Sequence, residues 1–450
     1  MDRQKKKQFI LQLKNVFKYL IDKKDLIKYF ENGCKKVNNL CIGVEHEKFL
    51  FNNKSNKRIN FETSSKVFSF LEQFGWKPIK EKKYTVALHK EGKSITLEPG
   101  NQIELSGAPL SSIHYNCNES YEFLGELKKA CKNFNLKMMA TSFDPFSKLE
   151  NIPKTPKRRY EIMTDEMPKS GKLSLEMMYQ TCGTQINLDY ISEKDFIKKF
   201  KLSCFLVPLS TAIFANSPIK ENKLNGYLSY RSYVWQNTAR GGLPKSFLED
   251  MNFEKYVDMA INMPLLFVSK NGNHLRSGGQ TFKDFMEGKI SIVNNEQANI
   301  KDFETHLATI FKEVRLKKYI EVRSLDTCEW DCHCGGPAFY TGLIYGKLNE
   351  ALEIINQWKT SDVLNAYREA PKKGLKTIIN NKTLLEWGKI FLNLAKQGLE
   401  NRSIKNSDGK DESIFLRSIE SILNNNKNKA DIIIEKFKAK KDLEFLYEKV

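Results

Sequence analysis

Five glutamates and two arginines recur at spacings on which chemistry can be built. In the stretch SITLEPGNQIELSGAP, residues 94–109, two alternating runs flank Pro99, Gly100 and Asn101. Ile95 and Leu97 point one way in the first run, and Thr96 and Glu98 the other. In the second run Ile103 and Leu105 share a side opposite Gln102 and Glu104. Alternation of period two predicts strands, and Pro-Gly-Asn predicts the turn between them. Such a hairpin puts Glu98 and Glu104 on one polar face, where two carboxylates repel unless a cation joins them. A hard divalent ion that prefers oxygen ligands, such as Mg²⁺, supplies that cation. A hairpin whose polar face is merely solvated needs none.

The same pattern recurs in three further strand candidates. CIGVEHEKFLF (41–51) sets Glu45 and Glu47 side by side and turns His46 to the opposite face. MMYQTCGTQINLDY (177–190) sets Gln185, Asn187 and Asp189 on one face and Ile186, Leu188 and Tyr190 on the other. KYIEVRSL (318–325) places Glu321 and Arg323 together, opposite Ile320 and Val322. A half-solvated sheet face rich in Lys and Thr is ordinary. A face dominated by Glu45, Glu47, Glu98, Glu104 and Glu321 is less so in a chain of net charge +19. Five such carboxylates can bind Mg²⁺ ions that bridge nucleotide phosphates. Arg323 can then grip a phosphoryl oxygen, and Arg231 a substrate carboxylate. That set of groups suits phosphoryl transfer from ATP, in which positioning and charge neutralisation supply most of the catalysis.

Around these strands the chain reads as helical. Residues 1–40 form two Lys-rich helices, with Phe9, Leu13, Phe17 and Leu20 at helical spacing. Helices are expected over 64–74 and 118–134, and from Ser192, a cap residue, towards Ala215 with a break at Pro208. Residues 143–159 hold Pro145, Pro153 and Pro156 and read as an exposed loop near the site. From Pro337 to the C-terminus the pattern is again helical. With 450 residues, 40% apolar content, five Trp and 29 Phe, the chain folds into a large core.

The charge excess fits nucleic acid, an anionic membrane or anionic small substrates, but the lysines are dispersed along the whole chain. No RNP motif, helix-turn-helix or basic stripe is present, and no apolar stretch is long enough to span a bilayer. Neither nucleic acid nor a membrane is therefore expected as a partner. Nine cysteines, an odd number scattered along the chain, do not resemble a secreted disulfide scaffold, and the N-terminus lacks an apolar h-region. These features predict a reducing cytoplasm. Walker A, kinase and GxGxxG signatures are missing. Cys328, Cys332, His333 and Cys334 contain metal-ligating types, but without the paired spacing of a zinc site. Trp235, four residues after Arg231, reads by default as a core aromatic.

IGVEHEKF, SITLEPGNQIELSGAPL, RRYEIM, MMYQTCGTQINLD, FANSPI, LSYRSYVW, TFKDFMEGK and HLATIFKEVRLKKYIEVRS occur in this order. Together they resemble glutamate–cysteine ligases of the plant and proteobacterial type, over residues 41 to about 345. The resemblance implies an α+β fold related to glutamine synthetase, with a curved, mostly antiparallel sheet lining the site and helices on its outer side. It also implies a single catalytic unit over 1–450, comprising an N-terminal helical segment (1–40), a ligase core (41–345) and a C-terminal helical region (346–450). The implied reaction is ATP-dependent ligation of the L-glutamate γ-carboxylate to the L-cysteine amine, the first step of glutathione synthesis, in a monomer or homodimer. A related ligase with another amine acceptor fits the same motifs.

By position, Glu45, Glu47, Glu98, Glu104 and Glu321 match the family's Mg²⁺–nucleotide carboxylates. Arg231 matches the arginine that holds glutamate, and Arg323 matches a phosphate-binding arginine. Trp235, Arg159, Tyr160, Gln185 and Asn187 border the substrate. Two stretches depart from the family. After Trp235 the chain reads Gln236-Asn237-Thr238-Ala239-Arg240, where relatives carry an acidic run. After the last strand it reads Ser324-Leu325-Asp326-Thr327-Cys328, where relatives carry a Gly-rich turn.

Overall fold

The computed structural model describes residues 21–81, 84–270 and 272–448. Its centre is a nine-stranded sheet, built from β1 (Ile42–Asn52), β2 (Lys77–Glu81), β3 (Tyr84–Lys90), β4 (Lys93–Leu97), β5 (Ile103–Ser106), β6 (Leu136–Met139), β7 (Gly183–Leu188), β8 (Val314–Leu316) and β9 (Ile320–Asp326). The strands lie in the order β8-β9-β7-β1-β5-β4-β3-β2, with β6 pairing the far end of β1. Every pairing is antiparallel. β1 is the hub, because its eleven residues are long enough to pair three partners.

Alternation decides which side of this sheet is buried. Ile42, Val44, Ile186, Leu188, Ile320 and Val322 point to a large core filled by the helix over Lys23–Glu31 and by helices from Glu193 onward. Leu88, Ile95, Leu97, Ile103 and Leu105 point to a second core under α1 (Phe61–Leu71) and α2 (Ile113–Phe134). A one-residue slip of any of these strands would carry its aliphatic set to the other face, so burial fixes the register. The glutamates are left on the opposite face. At the hairpin turn Asn101 takes the left-handed backbone region (φ 60°), which asparagine tolerates. His46 lies on the core face, stacked on His333 with ring centroids 3.2 Å apart. Lys48 on that face is fully buried; its ammonium donates to the Cys328 carbonyl at 2.7 Å and pairs with Glu448 at 2.5 Å.

Several local expectations shift. The first of the two expected N-terminal helices lies outside the described residues; the second is a helix over Lys23–Glu31. α2 starts five residues earlier than its apolar pattern suggests, because Ser112 caps it by accepting from Tyr115 N. Arg158–Glu166 is a helix, α3, and Met177–Gln180 belong to α4 (Ser174–Gln180), so that β7 begins only at Gly183. The proline-rich segment before α3 packs on the hairpin instead of lying free in solvent. Asp144 is buried and paired with Arg58 at 3.1 Å, and Thr155 donates to the Glu98 carbonyl at 2.6 Å. Asp189 leaves the polar face to accept from Cys41 N at 2.9 Å. Ser192 does cap a helix, α5 (Glu193–Phe205), and Pro208 sits in the first turn of the next, α6 (Val207–Phe214).

The cysteines also depart from expectation. Cys117 on α2 is joined to Cys334, 217 residues away, and Cys328 to Cys332. These bonds consume the thiols that a zinc site at Cys328, Cys332, His333 and Cys334 would need.

Candidate active site

The middle of the exposed face is acidic. Register sets Glu47 directly across from Glu104, and Glu45 across from Gln185. Asn187 lies across from Gly43 on one side and Glu321 on the other. Gly43 leaves room for Asn187, since a Cβ there would lie 3.2 Å from the Asn187 Cβ, a tight contact. Amide donors orient the carboxylates. Asn187 Nδ2 donates to Glu45 Oε1 at 2.8 Å, Gln185 Nε2 to Glu47 Oε1 at 3.2 Å, and Gly183 N to Glu47 Oε2 at 2.6 Å. Burial and the neighbouring charge of Glu98 push the Glu47 carboxyl up to about 7. Burial, then Glu98, Glu45 and Glu47, hold Glu104 well above the usual carboxylate range. Four carboxylates thus crowd one another at the junction of β1, β4 and β5.

Glu321, the fifth, is placed differently. Arg315 clasps it with both prongs, Nη2 to Oε1 at 2.8 Å and Nε to Oε2, and Arg323 Nη1 reaches Oε1 at 2.9 Å. Burial alone would raise its pKa, but Arg315, Lys317 and Arg323 hold the carboxyl well below the normal range. The expected set of five free carboxylates is thereby reduced to four, with Glu321 anchoring the guanidinium groups beside them. Among the described residues no three carboxylates are drawn into a closed metal shell. The donor set is nonetheless all oxygen and mutually repelling, which is what a hard divalent cation relieves.

The arginines form the other half of the site. Ser229 caps α7 (Tyr230–Gln236) and places Arg231 in its first turn and Trp235 one turn on. The guanidinium carbons of Arg231 and Arg323 lie 5.0 and 5.1 Å from the Trp235 ring centroid, so the tryptophan packs against both cations instead of serving only the core. Arg231 Nη2 donates to the Arg323 carbonyl at 2.8 Å, close over Gly183, where a Cβ would come within 2.5 Å of that nitrogen. Arg231 Nε and Nη1, Arg323 Nε and Trp235 Nε1 are buried with no hydrogen-bond partner. Buried donors left unmet are costly, and an anion bound beside them would lower that cost.

At the hairpin end α3 contributes a second basic group. The Tyr160 hydroxyl donates to the Leu97 carbonyl at 3.0 Å and faces Glu98 Oε1 at 3.5 Å. Arg159 Nη2 donates to the Tyr160 hydroxyl at 2.8 Å, and Arg159 Nε has no partner. Lys157 Nζ donates to the Leu97 carbonyl at 3.0 Å, and burial together with Arg159 lowers its ammonium to about 8.

Four participants were absent from the sequence-derived set: Lys157, Glu313, Arg315 and Asp326. The first precedes the Arg159-Tyr160 pair. Glu313 and Arg315 alternate with Val314 and Leu316 as Glu321 and Arg323 do with their neighbours, a signal that three-residue β8 makes faint. Asp326 lies in the segment that replaces the Gly-rich turn. It accepts from Asn216 N and Ser217 Oγ at 2.8 Å and from Ser229 Oγ at 2.9 Å, pinning the start of α7. The acid-free run after Trp235 is bound to backbone: Gln236 Nε2 to Tyr367 O at 2.6 Å, Asn237 Nδ2 to Tyr233 O at 2.8 Å, and Arg240 Nε to Thr309 O at 2.7 Å.

An acidic sheet face closed at both ends by arginines suits a carboxylate–amine ligase. The chain belongs to glutamate–cysteine ligase family 2, whose model matches residues 41–449. It is 39% identical over 426 residues to glutamate–cysteine ligase B of Oryza sativa subsp. japonica, covering 93% of this chain and 85% of the relative. It is 38% identical to the Nicotiana tabacum enzyme and 37% to that of Arabidopsis thaliana, each alignment covering 93% of this chain and 80% of the relative. Among solved structures it is similar to Francisella tularensis glutamate–cysteine ligase in complex with AMP. That likeness has a TM-score of 0.49 and 13% identity over 90% of this chain and 86% of the other, too distant to bear on the chemistry. The three plant relatives are chloroplastic enzymes. This overturns the cytoplasmic placement, which rested on cysteine usage and a Lys-rich N-terminus, features that do not separate one reducing compartment from another. Among the described residues no helix is long and apolar enough to cross a membrane.

Proposed function

We propose that this chain joins the γ-carboxylate of L-glutamate to the amine of L-cysteine at the expense of ATP, giving γ-glutamylcysteine. The observation that carries this reading is the set of buried, unpartnered donors on Arg231, Arg323 and Trp235 beside four crowded glutamates. The arginine end suits an anionic substrate, and the acidic end suits the metal ions that accompany a nucleotide.

Glu45, Glu47, Glu98 and Glu104 would hold Mg²⁺, which supplies charge neutralisation on the phosphates. Arg231 binds the glutamate carboxylate, with Trp235 keeping its guanidinium flat against the site. Arg323, anchored through Glu321, faces the γ-phosphoryl group and stabilises the charge that grows as the γ-carboxylate oxygen attacks phosphorus. Lys157 and Arg159 guard the hairpin end of the same face and extend its reach to further phosphate oxygens. ADP leaves as the acyl phosphate forms; the amine, having given its ammonium proton to a base, then attacks the acyl carbon, and phosphate leaves. Gln185 and Asn187 act on the carboxylates, holding Glu47 and Glu45 in orientation.

The test is formation of γ-glutamylcysteine and stoichiometric phosphate release from glutamate, cysteine and ATP with Mg²⁺, with other amines run as acceptors in parallel. Phosphate release that needs glutamate but proceeds better with another amine assigns a different acceptor. Release independent of glutamate overturns the reading.

A further inference from the structure

One carboxylate at the arginine end has no work in the chemistry above. Glu313 precedes β8 and lies on the same face as Arg315, two residues on. It is 1% exposed. Its backbone is held from both sides, its N–H donating to Gly242 O at 3.2 Å and its carbonyl accepting from Arg323 N at 2.9 Å. The Tyr367 hydroxyl donates to Oε1 at 2.7 Å. Arg231, Arg323 and Asp326 all lie within its electrostatic reach. Yet among the described residues neither guanidinium pairs with it: Arg231 leans towards Asp326, at 3.9 Å, and Arg323 is bound to Glu321.

A buried carboxylate with no ion-pair partner within 4 Å, and within electrostatic reach of buried guanidinium nitrogens that lack an acceptor, is costly, as are those nitrogens. One species satisfies both at once: an α-amino acid zwitterion, whose carboxylate and ammonium are carried by a single carbon. Cysteine and glutamate are both zwitterions, but Arg231 and Trp235 tie this corner to the donor substrate. We propose that Glu313 receives the α-ammonium of the glutamate whose α-carboxylate lies on Arg231, and so makes the site select an α-amino acid over a plain dicarboxylate. The inference rests on the proposed function and adds a specificity-determining residue to it.

Glutarate, which is glutamate without its α-amine, isolates this contact. Donor KM and kcat are measured for both acids at saturating ATP, Mg²⁺ and cysteine, and their binding is followed by calorimetry. The wild-type enzyme should favour glutamate over glutarate. Glu313→Gln, which keeps the shape, should raise the glutamate KM and dissociation constant about 10- to 100-fold, the loss of one charge-assisted contact, and leave glutarate unchanged. Glu313→Asp should restore part of the preference, and Tyr367→Phe, which spares the charge, should retain it. Equal losses for both acids would make Glu313 a mere counter-charge for the arginines and overturn the inference, as would wild-type enzyme that binds the two acids alike or a change confined to the cysteine KM. Absence of any glutamate-dependent ligation by the wild type, by contrast, defeats the proposed function itself.

Discussion

Glu47 and Glu104 stand directly opposite one another on adjacent antiparallel strands, with Glu98 and Glu45 close enough to raise the Glu104 carboxyl further. Like charges facing across a sheet destabilise it, so the fold tolerates this face only if the charges are neutralised.

Protonation and metal are alternative ways of doing so, and they should trade places with pH. The Glu47 carboxyl is raised to about 7 by burial and by Glu98, and Glu104 is raised in the same direction. A raised folded-state value means that the stabilising form is the protonated one. Its contribution is full below the unfolded value near 4.5 and is lost as pH rises through about 7. Metal-free protein should therefore lose stability between pH 5 and pH 8, and Mg²⁺ should raise Tm more at pH 8 than at pH 5. Thermal scans with and without Mg²⁺ check this, and an equal Mg²⁺ gain at both values would remove the carboxylates from metal binding.

Glu98→Gln and Glu321→Gln should separate binding from architecture. Removing the Glu98 charge relieves Glu47 and Glu104, so the variant should fold as well as wild type or better without metal and lose activity. Glu321 is the fully buried partner of Arg315 and Arg323. Its neutralisation strands two buried guanidinium groups and should cost about 3–5 kcal/mol of stability. Urea unfolding of both variants, beside their activities, decides between these roles; a Glu98→Gln loss as large as that of Glu321→Gln would refute the distinction.

The two arginines should divide the kinetics. Arg231→Lys should mainly raise the KM for glutamate, because lysine cannot reproduce the planar fork against Trp235. Arg323→Lys should mainly lower kcat, because its partner charge grows only in the transition state. Indistinguishable effects of the two changes on both parameters would contradict this.

What could be read in advance follows physical range. Strands β1, β4, β5, β7 and β9 were legible because period-two alternation is a local property, and with them Glu45, Glu47, Glu98 and Glu104. Glu321 was legible as a residue of the site but not in its bonding, because its partner Arg315 sits on a strand too short to show a period. The Arg159-Tyr160 helix was hidden by the prolines before it, which break the pattern without exposing the chain. The Cys117–Cys334 bond was hidden because α2 meets the segment after β9 only in the tertiary structure.

The last prediction concerns the run after Trp235. Relatives carry an acidic run here; either its loss weakens the hold on cysteine, which Asn237→Asp would restore, or another carboxylate such as Asp326 or Glu329 replaces it, or the run is only a solvated loop. In the structure Asn237 is the C-cap of α7, and its amide donates to the Tyr233 carbonyl. A carboxylate there cannot donate, and it meets the negative end of the helix dipole, at a cost of about 0.3–1 kcal/mol. Asn237→Asp should therefore lower stability slightly and leave the KM for cysteine where it is. A cysteine KM that falls several-fold, measured at saturating glutamate and ATP, would return the loop to acceptor binding.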